Sequence, residues 1–352
     1  MTNPFRIADE QYQDDILQGV SRTFALTIPQ LPEALRRVIG NAYLLCRITD
    51  TIEDDSALTN EQTRELSDMF AEVVCGNASA EEFAQTLYPL LSNHTIPAEH
   101  DLIKNTPSVI RITHSFNPVQ RHALERCVRI MAKGMADYQE TESLEGLKDL
   151  SEMNQYCYYV AGVVGEMLTE LFCDYSQDID THRPTLMKLS VSFGQGLQMT
   201  NILKDIWDDR KRGACWLPQD IFVKNGFNLR DLQPGTSDAK FQAGLAELLA
   251  VAKSHLHNAL TYTSLIPPQE KGIRRFCLWA IGMAILTLNK INQHRDFSQG
   301  AQVKISRRSV KATIITTSLF ASQDWILELL FKLTSRNLPD IDIHKVAFSE
   351  IK

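Results

Sequence analysis

The chain has 352 residues, of which 44% are hydrophobic and 22% are charged, and its formal net charge is −7. This length can bury a large core, in one large domain or two smaller ones. The acidic balance argues against general nucleic-acid binding, because the phosphate backbone attracts basic proteins.

The N-terminus and the apolar runs bear on location. Residues 1–15 contain no basic region followed by an apolar run, so no secretory signal is predicted. The longest apolar run, FCLWAIGMAILTL at 276–288, is shorter than the roughly 20 residues that a membrane span needs. The 7 cysteines form no Cys-x-x-Cys, which indicates reduced thiols. We therefore expect a cytoplasmic protein without a transmembrane anchor or a His/Cys zinc site.

Helical patterning dominates the chain. Apolar residues recur at three- and four-residue spacing, whereas alternating strand-like runs and hairpin dipeptides are scarce. In chain order, the patterned segments are 31–54, 61–75, 120–139, 151–173, 185–209, 240–263, 271–293 and 308–334. The stretches between them contain short connectors such as 91–101 and 296–302 rather than interdomain linkers. The sequence predicts an all-α protein, with one helical domain over residues 1–352.

The first patterned segment carries acidic residues directly after an apolar stretch. In a helix over 41–55, a face of about 60° holds four polar residues. They are Tyr43, Arg47, Asp50 and Asp54, with Glu53 beside them. A buried acidic stripe needs a partner. A single Asp-x-x-x-Asp is also common on solvated helix faces, so exposed charge is the plain alternative.

A second stripe of the same kind lies in 193–213, within an arc of about 80°. Its members are Gln198, Asn201, Asp205 and Asp209. Aspartates at i and i+4 offer oxygen ligands to Mg²⁺, which usually keeps waters or phosphate oxygens as well. Two facing acidic helices would therefore form a cage for a metal-bound diphosphate. The basic residues placed to hold its free oxygens are Arg47, Lys204, Arg210, Lys211 and Arg212.

Two further stretches have plain interpretations too. In YCYYVAGVVGE (156–166), Tyr159 is compatible with a core residue, and Gly162 and Gly165 with close helix packing. SRTFALTIPQLP (21–32) is compatible with a simple helix and turn that leaves Arg22 on the surface.

Four ordered motifs resemble the squalene and phytoene synthase family of head-to-head prenyl transferases. They are SRTF (21–24), CRITDTIEDD (46–55), YCYYVAGVVGE (156–166) and GLQMTNILKDIWDD (196–209), and the likeness covers roughly residues 15–335. The resemblance implies a single-domain isoprenoid-synthase helical bundle around a central apolar cavity. It also implies two farnesyl diphosphate substrates bound through Mg²⁺. The implied metal ligands are Asp50, Glu53, Asp54, Asn201, Asp205 and Asp209.

Within the family, three stretches resemble the squalene-forming members. They are YCYYVAGVVG, MAILTLNKI (283–291) and QVKISRRSVK (302–311), the last resembling a mobile loop associated with NADPH. The resemblance therefore implies reduction to squalene, with Lys304, Arg307 and Arg308 contacting the cofactor. Ser306 and Ala214 depart from the family pattern, because each stands where an arginine is common. The alternatives are a phytoene or dehydrosqualene synthase without reduction and, more remotely, a non-catalytic helical assembly protein.

The resemblance also implies roles for individual residues. Asp50, Asp54, Asp205 and Asp209 would hold Mg²⁺ on the leaving diphosphate, and Tyr159 with Arg47 would serve proton transfer or positioning. The substrate contacts expected are Ser21, Arg22, Phe24, Tyr43, Gln198, Asn201, Lys204 and Arg212, the first three in a flap. We expect a monomer. Because the product is an oil, we also expect peripheral association with membranes through an exposed apolar surface that includes Trp325, Ile326 or Phe331.

Overall fold

The computed structural model describes residues 4–21, 23–139 and 143–340, and Arg22 lies outside these ranges. Within them the chain forms helices and loops, and its β-type pairing is the isolated bridge between Leu147 and Pro218. The all-α prediction is confirmed. None of the helices in this part of the chain combines the length and the apolar character that crossing a bilayer requires.

The α-helices follow one another with short connections. They are α1 Pro4–Val20, α2 Phe24–Thr27, α3 Glu33–Asp54, α4 Asn60–Cys75, α5 Ala80–Leu87, α6 Pro97–Lys104, α7 Thr106–Thr113, α8 Pro118–Gln139, α9 Leu150–Cys157, α10 Val163–Tyr175, α11 Gln177–Asp180, α12 Arg183–Arg212, α13 Gln219–Lys224, α14 Ala239–Leu265, α15 Lys271–Gln293, α16 Arg307–Leu319 and α17 Asp324–Ser335. A π-helix, Tyr158–Gly162, joins α9 to α10, and 3₁₀ turns lie at Ile28–Gln30, Tyr88–Leu90, Leu229–Asp231 and Gly300–Val303. The predicted segment 308–334 is therefore two helices rather than one.

The chain divides into two compact units, 1–140 with 166–183 and 141–165 with 184–352. In the first unit, α3 packs against α1, α4, α7 and α8. Its apolar face includes Leu44, Leu45, Ile48 and Ile52, all without solvent exposure. That burial fixes the rotation of α3, because these side chains must face the core.

In the second unit, α14 packs along α15, and both contact α17. The core face of α17 carries Leu327 and Phe331, which are 3% and 8% exposed. The expectation that Phe331 forms an exposed apolar surface is therefore wrong. It lies four residues after Leu327 on the same side of the helix, and that side is buried.

Two glycines mark a close crossing of helical backbones in the second unit. A Cβ on Gly194 of α12 would lie 2.2 Å from the carbonyl oxygen of Ala161, in the π-helix. A Cβ on Gly165 of α10 would lie 2.2 Å from the carbonyl oxygen of Ser190. The packing interpretation of Gly165 therefore holds, because any side chain there would displace backbone.

We expect Gly194→Ala to destabilise the protein by about 2 kcal/mol or more, since the added methyl meets backbone that cannot rotate away. Urea unfolding monitored by circular dichroism measures this change. Gly40→Ala in α3 is the control: its Cβ would lie 3.2 Å from the amide nitrogen of the Gln13 side chain rather than against backbone. Equal stabilities of the two variants would contradict the close crossing.

Candidate active site

The predicted face of α3 forms one connected polar cluster. The Arg47 guanidinium donates a hydrogen bond to the Tyr43 hydroxyl at 3.1 Å, and Tyr43 in turn donates to the Val20 carbonyl at 3.0 Å. A second nitrogen of Arg47 lies 3.8 Å from a carboxylate oxygen of Asp50. Asp54 is exposed at the end of the helix. Tyr43, Arg47 and Asp50 therefore interact directly.

A residue that sequence reasoning missed, Glu99, joins this cluster from α6. Its carboxylate lies 3.7 Å from the same Arg47 nitrogen that faces Asp50. Glu99 occupies the first turn of α6 after Pro97, in a stretch interpreted from sequence as a connector. Proline followed by an acidic residue is typical of a helix start, and this was the available signal.

The cluster crowds negative charge into a partly buried place. Burial raises the pKa of Asp50 to about 6, and the nearby Asp54 and Glu99 charges act in the same direction against the attraction of Arg47. Burial, together with Asp54, also raises the pKa of Glu99. A divalent cation would relieve this repulsion, and the carboxylate oxygens are the donors that Mg²⁺ prefers. The residues of the first stripe therefore fit a magnesium ion.

The described residues provide too few converging ligands to hold Mg²⁺ without other donors. In the described residues no three His, Cys, Asp or Glu side chains converge closely enough to hold a metal ion by themselves. Mg²⁺ is usually bound through one or two carboxylates together with water and substrate phosphate oxygens. A magnesium ion at these stripes would accordingly depend on its substrate for part of its coordination.

Asp55 is the last acidic residue of residues 48–55, and its carboxylate stabilises the loop that follows α3. One oxygen accepts the Ala57 amide at 2.9 Å, and the other accepts the Ser92 amide at 2.8 Å and the Thr95 hydroxyl at 2.5 Å. Burial opposes its charge, yet the Thr95 and backbone hydrogen bonds lower the pKa of Asp55. This residue holds the turn after α3 and is absent from the candidate metal ligands.

We expect Asp50→Asn to stabilise the metal-free protein above pH 6. The pKa of Asp50 is raised from 3.8 to about 6, so ionisation in the folded state costs stability increasingly as pH rises through this interval. The asparagine side chain does not ionise, and Arg47 keeps its ion pair with Glu99. Thermal melts without Mg²⁺ should show the advantage vanishing below about pH 4, near the unfolded pKa. A variant less stable at every pH would contradict the electrostatic account.

The second stripe lies on α12 and carries its own cations. The Lys204 ammonium is 2.8 Å from an Asp205 oxygen, and the Arg212 guanidinium is 2.7 Å from an Asp209 oxygen. Asp205 is half-buried and Asp209 buried, whereas Asn201 is exposed. Gln198 is half-buried one turn before Asn201. Each aspartate of this stripe is thus paired with a cation, and a metal bound to the carboxylate would leave that cation available to a diphosphate oxygen.

Tyr159 lies within the π-helix that follows α9. Its hydroxyl accepts a hydrogen bond of 3.4 Å from the Gln155 amide, and its ring meets that of Tyr158 edge-on at 5.6 Å. The side chain is half-buried, so the core interpretation does not hold. Single π-helical turns inside helices are frequent at functional sites. The structure therefore gives Tyr159 a distinctive backbone that the sequence did not reveal.

The SRTF segment contacts the first stripe. The Ser21 hydroxyl accepts the Phe24 amide at 2.9 Å, and the Phe24 ring lies 5.2 Å from the Tyr43 ring. Ser21 thereby orders the start of α2, and Phe24 covers part of the stripe. A moving flap at this place remains a prediction.

The basic segment lies at the start of α16. Lys304, Arg307 and Arg308 are exposed, and none forms an ion pair with another residue that the structure describes. Ser306 caps the helix, its hydroxyl accepting the Ser309 amide at 3.0 Å. The departure at Ser306 thus has a structural reason, since serine is a favoured N-cap. Ala214, the other departure, is fully buried.

Two helices that each carry an Asp-x-x-x-Asp stripe, in a chain built of helices, define a class of all-α proteins with paired aspartate motifs. The squalene/phytoene synthase profile matches residues 17–309. The chain belongs to this family, which confirms the resemblance of the four motifs.

Individual relatives agree with this assignment. The squalene synthase of Candida albicans is 30% identical over 299 residues, covering 83% of this chain and 64% of that protein. The squalene synthase of Saccharomyces cerevisiae is 28% identical over 295 residues, with the same two coverages. This chain therefore spans less than two thirds of the length of these relatives.

Solved structures show the same fold. A structure described as TcSQS with the ligand BPH1237 superposes with a TM-score of 0.72 at 23% identity, covering 94% of this chain and 91% of that one. A dehydrosqualene synthase in complex with a ligand gives a TM-score of 0.65 at 20% identity, covering 90% and 99%. At these identities the likeness concerns the fold.

Proposed function

We propose that this protein condenses two farnesyl diphosphates head to head to presqualene diphosphate and reduces it with NADPH to squalene. The observation that carries the proposal is the pair of Asp-x-x-x-Asp stripes on α3 and α12, in a chain of the squalene/phytoene synthase family. The squalene synthases among its relatives favour squalene as the product.

The carboxylates of the stripes act on the leaving group. In our proposal Asp50, Asp54, Asp205 and Asp209 hold Mg²⁺, with Glu53 and Asn201 as further oxygen donors. A metal held there would supply the positive charge that stabilises the leaving diphosphate. Arg47, Lys204 and Arg212 already lie beside these carboxylates, which supports their role in binding the remaining phosphate oxygens.

Tyr159 and Arg47 assist the loss of the proton that accompanies closure of the cyclopropane. A neutral phenol is a poor base at pH 7, since its ordinary pKa is about 10. We therefore assign the departing diphosphate as the proton acceptor, with Tyr159 polarising or relaying and Arg47 fixing the phosphate. The apolar walls implied by the family and the SRTF segment would exclude water from the allylic cation.

The reductive step requires a place for NADPH. Lys304, Arg307 and Arg308 are exposed cations without ion-pair partners in the described chain, and they flank a helix N-terminus. Such a terminus favours anions, so the segment fits a cofactor phosphate. We propose these three residues as its binding contacts.

The test is incubation of purified protein with farnesyl diphosphate and Mg²⁺, with and without NADPH, followed by identification of the products. Squalene formed only with NADPH, and presqualene diphosphate without it, is the expected result. Phytoene-type or dehydrosqualene products under both conditions would replace the proposal by the non-reducing alternative. Absence of any condensation product would favour a non-catalytic protein.

We propose, further, that this protein is cytoplasmic and that it binds membranes peripherally through an apolar strip on α17. Trp325, Leu329 and Leu333 follow one another at four-residue spacing, and 71%, 47% and 53% of their surfaces are exposed. An oily product and an exposed apolar strip both favour contact with lipid. The monomeric state remains a prediction.

We expect Trp325→Ser/Leu329→Ser to reduce recovery with liposomes in a flotation assay severalfold, because it removes most of the apolar surface of the strip. Val223→Ser is the control, since Val223 is 65% exposed on another helix, α13. Equal flotation of all three proteins would exclude the strip as the lipid contact.

A further inference from the structure

The basic segment, Lys304–Arg308, follows residues 297–303. These residues contact α12, the helix of the second stripe, at two places. The indole N–H of Trp207 donates to the Phe297 carbonyl at 2.6 Å, and the two rings meet edge to face at 6.3 Å. Trp207 is 3% exposed and Phe297 4% exposed. Because the bond is shielded from water, losing it leaves a buried carbonyl without its donor.

A second contact lies three residues further on. A Cβ on Gly300 would lie 3.2 Å from the Lys204 carbonyl oxygen, 3.3 Å from an Asp208 carboxylate oxygen and 3.4 Å from an Asp205 carboxylate oxygen. The backbone at Gly300 therefore passes directly against the turn of α12 that carries the first aspartate of the stripe. A Cβ at this position would require the segment or these oxygen atoms to shift by a few tenths of an ångström.

The stretch between these contacts and the cations is itself ordered. The Gln302 side chain accepts the Ser298 amide at 2.7 Å and the Gln299 amide at 3.2 Å, which closes the 3₁₀ turn. Val303 is fully buried, and Lys304 follows it exposed. The starting point of the basic segment is thus fixed relative to α12 by the fold.

We propose that Trp207 and Gly300 are positioning residues that dock the basic segment Lys304–Arg308 beside the second acidic stripe. This inference rests on the proposed function, because it assigns that segment to NADPH. Hydride transfer requires close approach of donor and acceptor, whereas the first condensation needs no NADPH. Undocking the segment should therefore impair reduction and spare condensation.

Trp207→Phe is the sharpest variant, since it keeps an aromatic ring and removes the N–H donor. Trp279→Phe is its matched control. The Trp279 indole donates to the Ser318 hydroxyl at 3.2 Å, near the opposite end of α16. Both variants delete one indole hydrogen bond, and circular dichroism checks that both remain folded. Gly300→Ala perturbs the second contact. Because its Cβ would lie against Asp205, this variant is assessed by cleavage and NADPH binding and not by the condensation step.

The first readout needs neither metal nor substrate. Trypsin cleaves after Lys304, Arg307 and Arg308, so mass spectrometry of brief digests reports how firmly the segment is held. In Trp207→Phe we expect cleavage there to be faster by on the order of tenfold, as for loss of one buried hydrogen bond. NADPH binding without farnesyl diphosphate should weaken by a similar factor, and Trp279→Phe should match the wild type in both measurements.

The outcomes separate this inference from the proposed function. Wild-type cleavage and NADPH affinity in Trp207→Phe would overturn the positioning role. Faster cleavage with unchanged NADPH affinity would also overturn it, since the anchor would then be structural only. A wild type that binds NADPH yet forms no squalene would refute the proposed function, while the cleavage and binding results would still decide the docking.

Discussion

Replacing Asp50 or Asp205 by asparagine is expected to slow turnover by on the order of 10²-fold or more while leaving the helices intact. Asparagine keeps the shape of the side chain but removes the charge that attracts Mg²⁺. At position 50 the loss falls in a cluster with Arg47 and Glu99, and at position 205 it leaves Lys204 without its carboxylate. Both changes weaken neutralisation of the leaving diphosphate.

Release of inorganic diphosphate at saturating farnesyl diphosphate, measured over a range of Mg²⁺ concentrations, tests this expectation. Asp137→Asn is the control, because Asp137 is exposed on α8 and pairs with Arg64 at 3.0 Å, outside both stripes. Near-normal turnover in both stripe variants would remove the metal–diphosphate function from the proposal.

The long helices were the most predictable part of the fold. The segment 271–293 coincides with α15, and 240–263 differs from α14 by one or two residues at each end. Six or more turns repeat the apolar spacing often enough to identify a buried face. The 17-residue helix α1 was missed. The eight-residue helices α5, α6 and α7 were missed too, since two turns give the pattern little chance to recur.

Other departures involve features that leave no local trace in sequence. The break between α16 and α17 falls at 320–323, FASQ, which contains no glycine or proline to signal it. The π-helix at 158–162 differs from an α-helix in its backbone hydrogen bonds, and its side-chain types are ordinary for either. Both are decided by packing in the folded unit.

In the candidate site, too, features set by local spacing could be predicted and features set by tertiary contacts could not. The stripes were predictable because residues at i and i+4 share a face whatever the rest of the fold does. Glu99 was not, because it reaches Arg47 from another helix. The contact of Gly300 with the Asp205 turn likewise joins places distant along the chain, so the nearness of the basic segment to the second stripe became visible only in three dimensions.

Removal of two charges from the basic segment should separate the two half-reactions. In Lys304→Ala/Arg307→Ala we expect the NADPH concentration for half-saturation to rise on the order of tenfold or more, since charge-assisted contacts to phosphate are lost. Presqualene diphosphate, or alcohols from water quenching, should accumulate at limiting NADPH, while diphosphate release in the first step changes little. The control is Lys271→Ala/Arg336→Ala, which removes equal charge from exposed positions elsewhere in the same unit. An unchanged NADPH dependence of squalene formation would make the segment structural and withdraw the most direct residue-level support for squalene over a non-reduced product.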